Sequence, residues 1–388
     1  MAIMAALELD LRALSLEARR GHPAVKDAAE HVILKLRSLS SPNEIAHNDD
    51  IVRIFLMACD VRSVKLSVIG LSCLQKLISH DAVAQSALAE ILFTLKNHAE
   101  ITDESIQLKT LQTILIIFQS HLQPENEENM SKALGICLRL LEYSKSSDSV
   151  RNTAAATFRQ AVALIFENVV RVESLSVGKE RSGNYIQTIF ASDDVSHNMS
   201  PNSHLSLRDT IHSQKSLSKV GKLGLRLLED LTALAAGGSA MWLRVHSLPR
   251  IFSLDILEFI LSNYAVLFHS LVVLRDQICS LLMTSLRINA EFEGEAGEPS
   301  FRRLVLRSVA HVIRLYSSVL VTECEVFLNM LLKATCLDLP LWHRILVLEI
   351  LRGFCMDART LRVLFQNFDM YIFFFHFCNI PATFYNFF

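Results

Sequence analysis

Between Val220 and Arg287 three apolar-rich patterns at helical spacing follow one another with almost no polar interval. The first, LRLLEDLTALAAGG, sets Leu225, Leu228, Leu231 and Leu234 at three-residue steps along one stripe, and Gly237 with Gly238 ends it. SAMWLRVHSLPRIFSLDILEFILSNYAVLF and HSLVVLRDQICSLLMTSLR read as two further helical patterns. Adjacent amphipathic helices bury their stripes against one another, so the stretch predicts a packed helical layer. It follows a serine-rich interval and therefore opens a second structural unit.

The same rhythm runs through the rest of the chain. Helical patterns are expected at Ala2 to Arg19, Pro23 to Leu39, Asp50 to Cys59, Ser63 to Ser79, Ala82 to Asn97, Glu104 to Leu122, Glu125 to Tyr143, and Asp148 to about Val172. Ser63 is the expected N-cap of its helix, and Gly21, Pro23 and Pro124 mark ends and starts. No strand signal interrupts them, and 12 glycines and 8 prolines in 388 residues suit stacked helices better than a strand-and-turn fold. The fold class expected is all-α, a HEAT- or armadillo-like solenoid of stacked helix pairs in two lobes, 1–173 and 219–370. A pair spacing near 40 residues supports a repeat array, although no consensus letters recur.

Between the lobes, 174–218 holds 11 serines in 45 residues and reads as a linker; a phosphorylated regulatory loop and a tolerated surface insertion are both open readings. In the second lobe Pro299 opens PSFRRLVLRSVAHVIRLYSS, where Arg302, Arg303, Arg307 and Arg314 are expected to form a basic edge, either solvated or meeting an acidic partner or lipid headgroups. Thr322 to Glu325 has the spacing of a capping box. Pro340 to Gly353 and Asp357 to Phe368 are the last expected helices. Apolar residues on both sides of the helix near Ile114 to Phe118 predict a patch that one lobe leaves uncovered, suited to self-association.

Chemistry leaves fewer traces. A net charge of -2 supplies no global field for nucleic acid, so none is expected as a partner. The eight cysteines stand singly, without a CxxC pair, as buried thiols of a reduced compartment do. The amino terminus carries Glu8 and Asp10 inside its apolar run, unlike a secretion signal, and Phe259 to Leu274 is too short to span a bilayer. The chain is expected to be cytosolic. No nucleotide, hydrolase, metalloprotease or calcium-loop signature occurs, and His311 and Trp242 read as packing residues. Catalytic residues, cofactors and metals are accordingly expected to be none, with recognition by an extended helical surface in their place.

LEDLTALAAGGSAMWLRVHSLPRIFSLDILEFILSNYAVLF, FRRLVLRSVAHVIRLYSSVLVTECEVFLNMLLKA and LPLWHRILVLEILRGFC closely resemble the amino-terminal region of the Mon-two (monensin-sensitivity) family. HNDDIVRIFLMACDVRSVKLSVIGLSCLQKLI and RNTAAATFRQAVALIFENVV resemble the family's first domain. The resemblance covers about residues 1–370. It implies a dimerisation and cyclophilin-binding-like lobe at 1–173, and at 219–370 a lobe like that upstream of the Sec-seven domain in the large Arf exchange factors. LFQNFDM sits where those relatives carry a short Asn-aromatic-Asp box, with Phe for the usual Tyr and Met370 where a Cys is expected. Read from the residues, the box is a helix end whose Asn and Asp can bond open backbone groups, and Asn367, Phe368 and Asp369, with Arg302 and Arg303 of the basic edge, are the candidate partner contacts.

The resemblance implies a non-catalytic scaffold in vesicle and protein traffic between the trans-Golgi network and endosomes, peripheral on their membranes. It implies homo-oligomers, Dopey-type partner proteins and an Arf-like GTPase. An Arf exchange factor or its regulator, and a generic helical-repeat adaptor, are the alternatives. Gly294-Glu295-Ala296 repeats three letters of the exchange factors' catalytic loop, but its flanks do not match. After Met370 the likeness stops, and YIFFFHFCNIPATFYNFF reads either as a truncated or intron-reading gene product or as a tail anchor.

Overall fold

The structure, a computed structural model, describes residues 2–39, 42–188, 217–246, 248–268, 274–286 and 298–368. Among these residues the regular elements are helices and no strand occurs. The fold is all-α, built of helix pairs, as expected. The chain divides into two compact units: Met1–Ile165 with Trp242–Val245, and Phe166–Met241 with His246–Phe388.

The first unit contains α1 (Ala2–Ala18), α2 (Pro23–Ser38), α3 (Asp49–Asp60), α4 (Val64–Ser79), α5 (Leu88–Ala99), α6 (Glu104–Gln119), α7 (Glu127–Glu142) and the start of α8 (Asp148–Thr188). Neighbours in sequence pair, α1 with α2 and α3 with α4, and α4 then meets α6 while α5 meets α7. That alternation is how a helix pair buries a stripe that it cannot cover alone. Gly70 lets α3 and α4 approach, for a Cβ there would stand 2.9 Å from Phe55 O. Asp103 and Asn126 cap α6 and α7, accepting hydrogen bonds from Ile106 N and Asn129 N. Ser63 occupies the N-cap position of α4 without a side-chain bond.

Two helices here end on a left-handed residue. Arg62 (φ 58°) follows α3, and Asp81 (φ 53°) follows α4 with Asp81 N donating to Ile78 O and Ala82 N to Leu77 O. The latter pair of bonds is a Schellman closure, which satisfies carbonyls the helix leaves open.

The second unit contains the rest of α8, α9 (Lys219–Ala235), α10 (Arg250–Asn263), the single turn α11 (Ala265–Phe268), α12 (Ser280–Leu286), α13 (Pro299–Tyr316), α14 (Val321–Cys336), α15 (Leu341–Cys355) and α16 (Ala358–Asn367). α10 packs on α9 and α13, and α13 on α15. At α9 the Schellman closure uses Gly237 (φ 85°), with Gly237 N bonded to Leu234 O and Gly238 N to Ala233 O. Side chains of following helices satisfy further last-turn carbonyls. Arg250 Nε donates to Ala235 O at 2.9 Å, Arg302 Nη1 to Ser285 O at 2.6 Å, and Tyr316 Oη to Leu261 O at 2.7 Å.

Four expectations change. α8 runs to Thr188, because no proline or cap interrupts it near Val172, so 174–188 is helical and the rest of the expected linker, 189–216, lies outside the described residues. The helical pattern read from Ser239 begins only at Arg250, because Pro249 takes the N-cap position and the preceding residues turn. Thr322 is not an N-cap: α14 starts at Val321 with Leu320 in that position and no side-chain bond. Ile114, Ile117 and Phe118 are buried, since α4, α5 and α7 surround α6, and the patch expected there is reduced to the half-buried Leu115 and Ile116.

Candidate interaction surfaces

In the first unit a groove of about 500 Å³ lies along α7, lined by Glu128, Ser131, Lys132, Gly135, Arg139 and the strip Trp242–Val245. The strip is anchored by polar and apolar contacts together. Ser131 Oγ donates to Trp242 O at 2.6 Å, Leu243 and Val245 are buried, and Arg244 turns the backbone through a left-handed conformation (φ 56°). Trp242 is half-buried rather than a core residue, and its indole N–H is enclosed without a hydrogen-bond partner. Lys132, 2.6 Å from Glu128, holds that carboxyl below the usual carboxylate range, and Arg244 adds a smaller effect. Charges of both signs alternate along the groove, so it favours neither an anion nor a cation.

The face of α1 turned to solvent carries Leu9 and Leu16, 67% and 70% exposed, two turns apart on one side. Leu7, Leu11, Leu14 and Ala18 take the buried side, matching the apolar stripe of the sequence except that Met4 is only half-buried.

In the second unit the expected basic edge is reduced. Arg302 is buried, not at the surface. Its guanidinium closes the last turn of α12 through Ser285 O, where the carbonyl end of a helix attracts a cation, and desolvation lowers its pKa. Arg303, Arg307 and Arg314 remain exposed on α13. Arg307 lies 3.2 Å from the buried carboxylate of Glu258 on α10, which His311 Nε2 also approaches at 3.0 Å. His311 is thus a hydrogen-bonded packing residue, as its apolar surroundings in the sequence implied. Arg314 lies over the Phe354 ring with its Cζ 5.4 Å from the centroid.

Asn367, at the end of α16, donates from Nδ2 to Ser317 O at 3.3 Å, and Phe368 is half-buried at the C-cap. Asp369, Gly294-Glu295-Ala296 and the aromatic tail lie outside the described residues. The expected contacts therefore do not converge: Asn367 joins the end of α13, and Arg303 stands on its exposed side. Cys59, Cys137, Cys279 and Cys324 are buried, and burial pushes each thiol up to about 12; Cys73 is raised by the same cause. Among the described residues no helix is long and apolar enough to cross a membrane.

A family model described as Mon2/Sec7/BIG1-like, dimerisation and cyclophilin-binding domain, matches residues 1–173. A second, Mon2/Sec7/BIG1-like, HUS domain, matches residues 222–372. The chain is 30% identical over 386 residues to Protein MON2 homolog of Homo sapiens, a match covering 94% of this chain and 21% of that protein. It is 28% identical over 386 residues to Protein MON2 homolog of Drosophila melanogaster, covering 94% and 22%. To Protein MON2 of Saccharomyces cerevisiae it is 27% identical over 374 residues, covering 94% and 21%. The chain spans about a fifth of the length of these curated relatives. With both domain models matched in order along the chain, the protein belongs to the Mon2/Sec7/BIG1-like family.

Proposed function

We propose that this chain is a non-catalytic scaffold in protein traffic between the trans-Golgi network and endosomes, acting by protein–protein contact while peripheral on those membranes. The ordered pair of family domains carries this reading, because one of them is described by dimerisation and by the binding of another protein. Self-association runs through the first domain. With Ile114 and Phe118 buried, the exposed leucines of α1 are its contact. Dopey-type proteins and an Arf-like GTPase are the partners proposed, and Arg303, Asn367, Phe368 and Asp369 remain proposed contacts while the buried Arg302 does not.

Two measurements test the reading. The tagged protein in cells should co-fractionate with trans-Golgi and endosome markers and not with nuclear-pore markers. The purified protein should leave nucleotide release from an Arf GTPase at its spontaneous rate. Accelerated release would make the protein an exchange factor, and co-fractionation with nuclear pores would make it a transport adaptor.

A further inference from the structure

α15 buries only His343, Val347, Leu351 and Phe354. These occupy one side at helical spacing, yet the opposite side is not wholly polar, for beside Glu349 and Arg352 it carries apolar residues. Leu341 and Ile345 are 59% and 44% exposed, and Leu348 is half-buried. With Arg352 they follow one another at steps of four, three and four, the spacing by which one helix offers a seam to another. A helix apolar on two sides is ordinarily covered on both. Next to it, α16 buries Thr360 and Leu364 and leaves Phe365 61% exposed.

The charges around this seam are mostly positive. α15 and α16 carry Arg344, Arg352, Arg359 and Arg362 against Glu349 alone. Asp357, at the N-cap of α16, is engaged with Arg359 N and Thr360 Oγ1, and Arg314 of α13 lies near it. Like charge on both copies opposes pairing of this surface with itself, whereas carboxylates beside an apolar stripe would match it.

We propose that the outer face of α15, through Leu341, Ile345 and Leu348 with Arg352, docks an amphipathic helix of a partner protein whose apolar stripe is flanked by acidic residues. The proposal deepens the scaffold reading by giving it a docking surface and the chemistry of what docks. The binding test below is independent of the compartment, so its failure leaves the trafficking assignment standing, and a failed fractionation leaves the surface standing.

The probe is a fluorescein-labelled three-heptad helical peptide with leucine at a and d and glutamate at e and g. A second peptide carries lysine at e and g. With the whole chain, the acidic peptide should raise anisotropy saturably, more weakly as salt is added, and the lysine peptide should not. Ile345→Glu should weaken binding about tenfold or more, the scale of an interface anchor. Arg352→Glu should shift preference toward the lysine peptide. Unchanged circular dichroism will show that both variants fold, and Ile345→Ser provides a milder second variant. Equal binding of the two peptides, or of the acidic peptide to wild type and Ile345→Glu, overturns the proposal. So does loss by Ile345→Glu of self-association, or of flotation with phosphatidylcholine and phosphatidylserine vesicles, while the acidic peptide fails to bind wild type.

Discussion

His98, near the end of α5, is 2% exposed, and both of its ring nitrogens are occupied. Nδ1 lies 2.8 Å from Thr94 O, which can only accept, so Nδ1 carries the proton of the neutral ring. Nε2, 3.1 Å from Ser67 Oγ, then accepts from that hydroxyl. A second proton would place a charge among buried groups of α4 and α5. Desolvation lowers the pKa of His98, with the Thr94 carbonyl and Asp60 acting weakly the other way and Arg62 with it. In the unfolded chain the ring titrates near its ordinary value of about 6.5. Above that value it is neutral in both states and stability does not depend on it. As pH falls below about 6.5 the unfolded chain takes up the proton first, so stability declines until the folded pKa is reached. One proton sets a ceiling of about 1.4 kcal/mol per pH unit on the slope. Hydrogen exchange of peptides spanning Ser67 and His98, corrected for intrinsic rates, reads the local opening free energy between about pH 6.5 and 5, above the ordinary carboxylate range. His98→Gln keeps a donor and an acceptor without titrating, and should flatten this dependence. Equal slopes in wild type and variant, or an NMR titration of His98 at or above the ordinary histidine value, would refute the reasoning.

Other outcomes follow from single contacts. Tyr316→Phe leaves Leu261 O without its side-chain donor at the end of α10 and should destabilise the second unit by about 1–3 kcal/mol, read from exchange of α10 and α13; no change would mean that water replaces the hydroxyl. Alkylation mapped by mass spectrometry should modify exposed Cys336 and Cys355 in the native protein, and Cys59, Cys73, Cys137, Cys279 and Cys324 only after denaturant is added; early labelling of Cys137 would contradict its burial. Leu9→Glu with Leu16→Glu should lower the mass found by light scattering to that of a monomer while helix content holds, and an unchanged mass would remove α1 as the self-contact.

The helical fold was legible because periodicity is a local signal. α2, α4, α6 and α7 begin and end within a few residues of where the apolar stripes and caps put them. Errors arose where a nonlocal contact decided the outcome. Leu243 and Val245 are as apolar as any helix stripe, yet they pack in a turn before Pro249, held in part by the contact of Trp242 O with Ser131. Arg302 looks like its neighbour Arg303 in sequence; the difference is the open carbonyl of Ser285, seventeen residues earlier. Ile114 to Phe118 looked uncovered because the sequence does not reveal that three helices surround α6. The outer seam of α15 was written in LWHRILVLEILR, but its exposure becomes visible only once the packing of the opposite side is known.

Arg62 and Asp81 hold the left-handed positions after α3 and α4 that Gly237 holds after α9. A side chain in that conformation costs roughly 1–2 kcal/mol that glycine does not incur, less the extra freedom glycine gives the unfolded chain. The first unit is therefore below the stability its own backbone permits at these two exposed corners, though Asp81→Gly would also remove the carboxylate 3.5 Å from His121 Nε2. A lineage could acquire Arg62→Gly or Asp81→Gly by a single residue change and then tolerate a harmful substitution at a binding face. These two corners hold part of a reserve from which harmful substitutions could be offset.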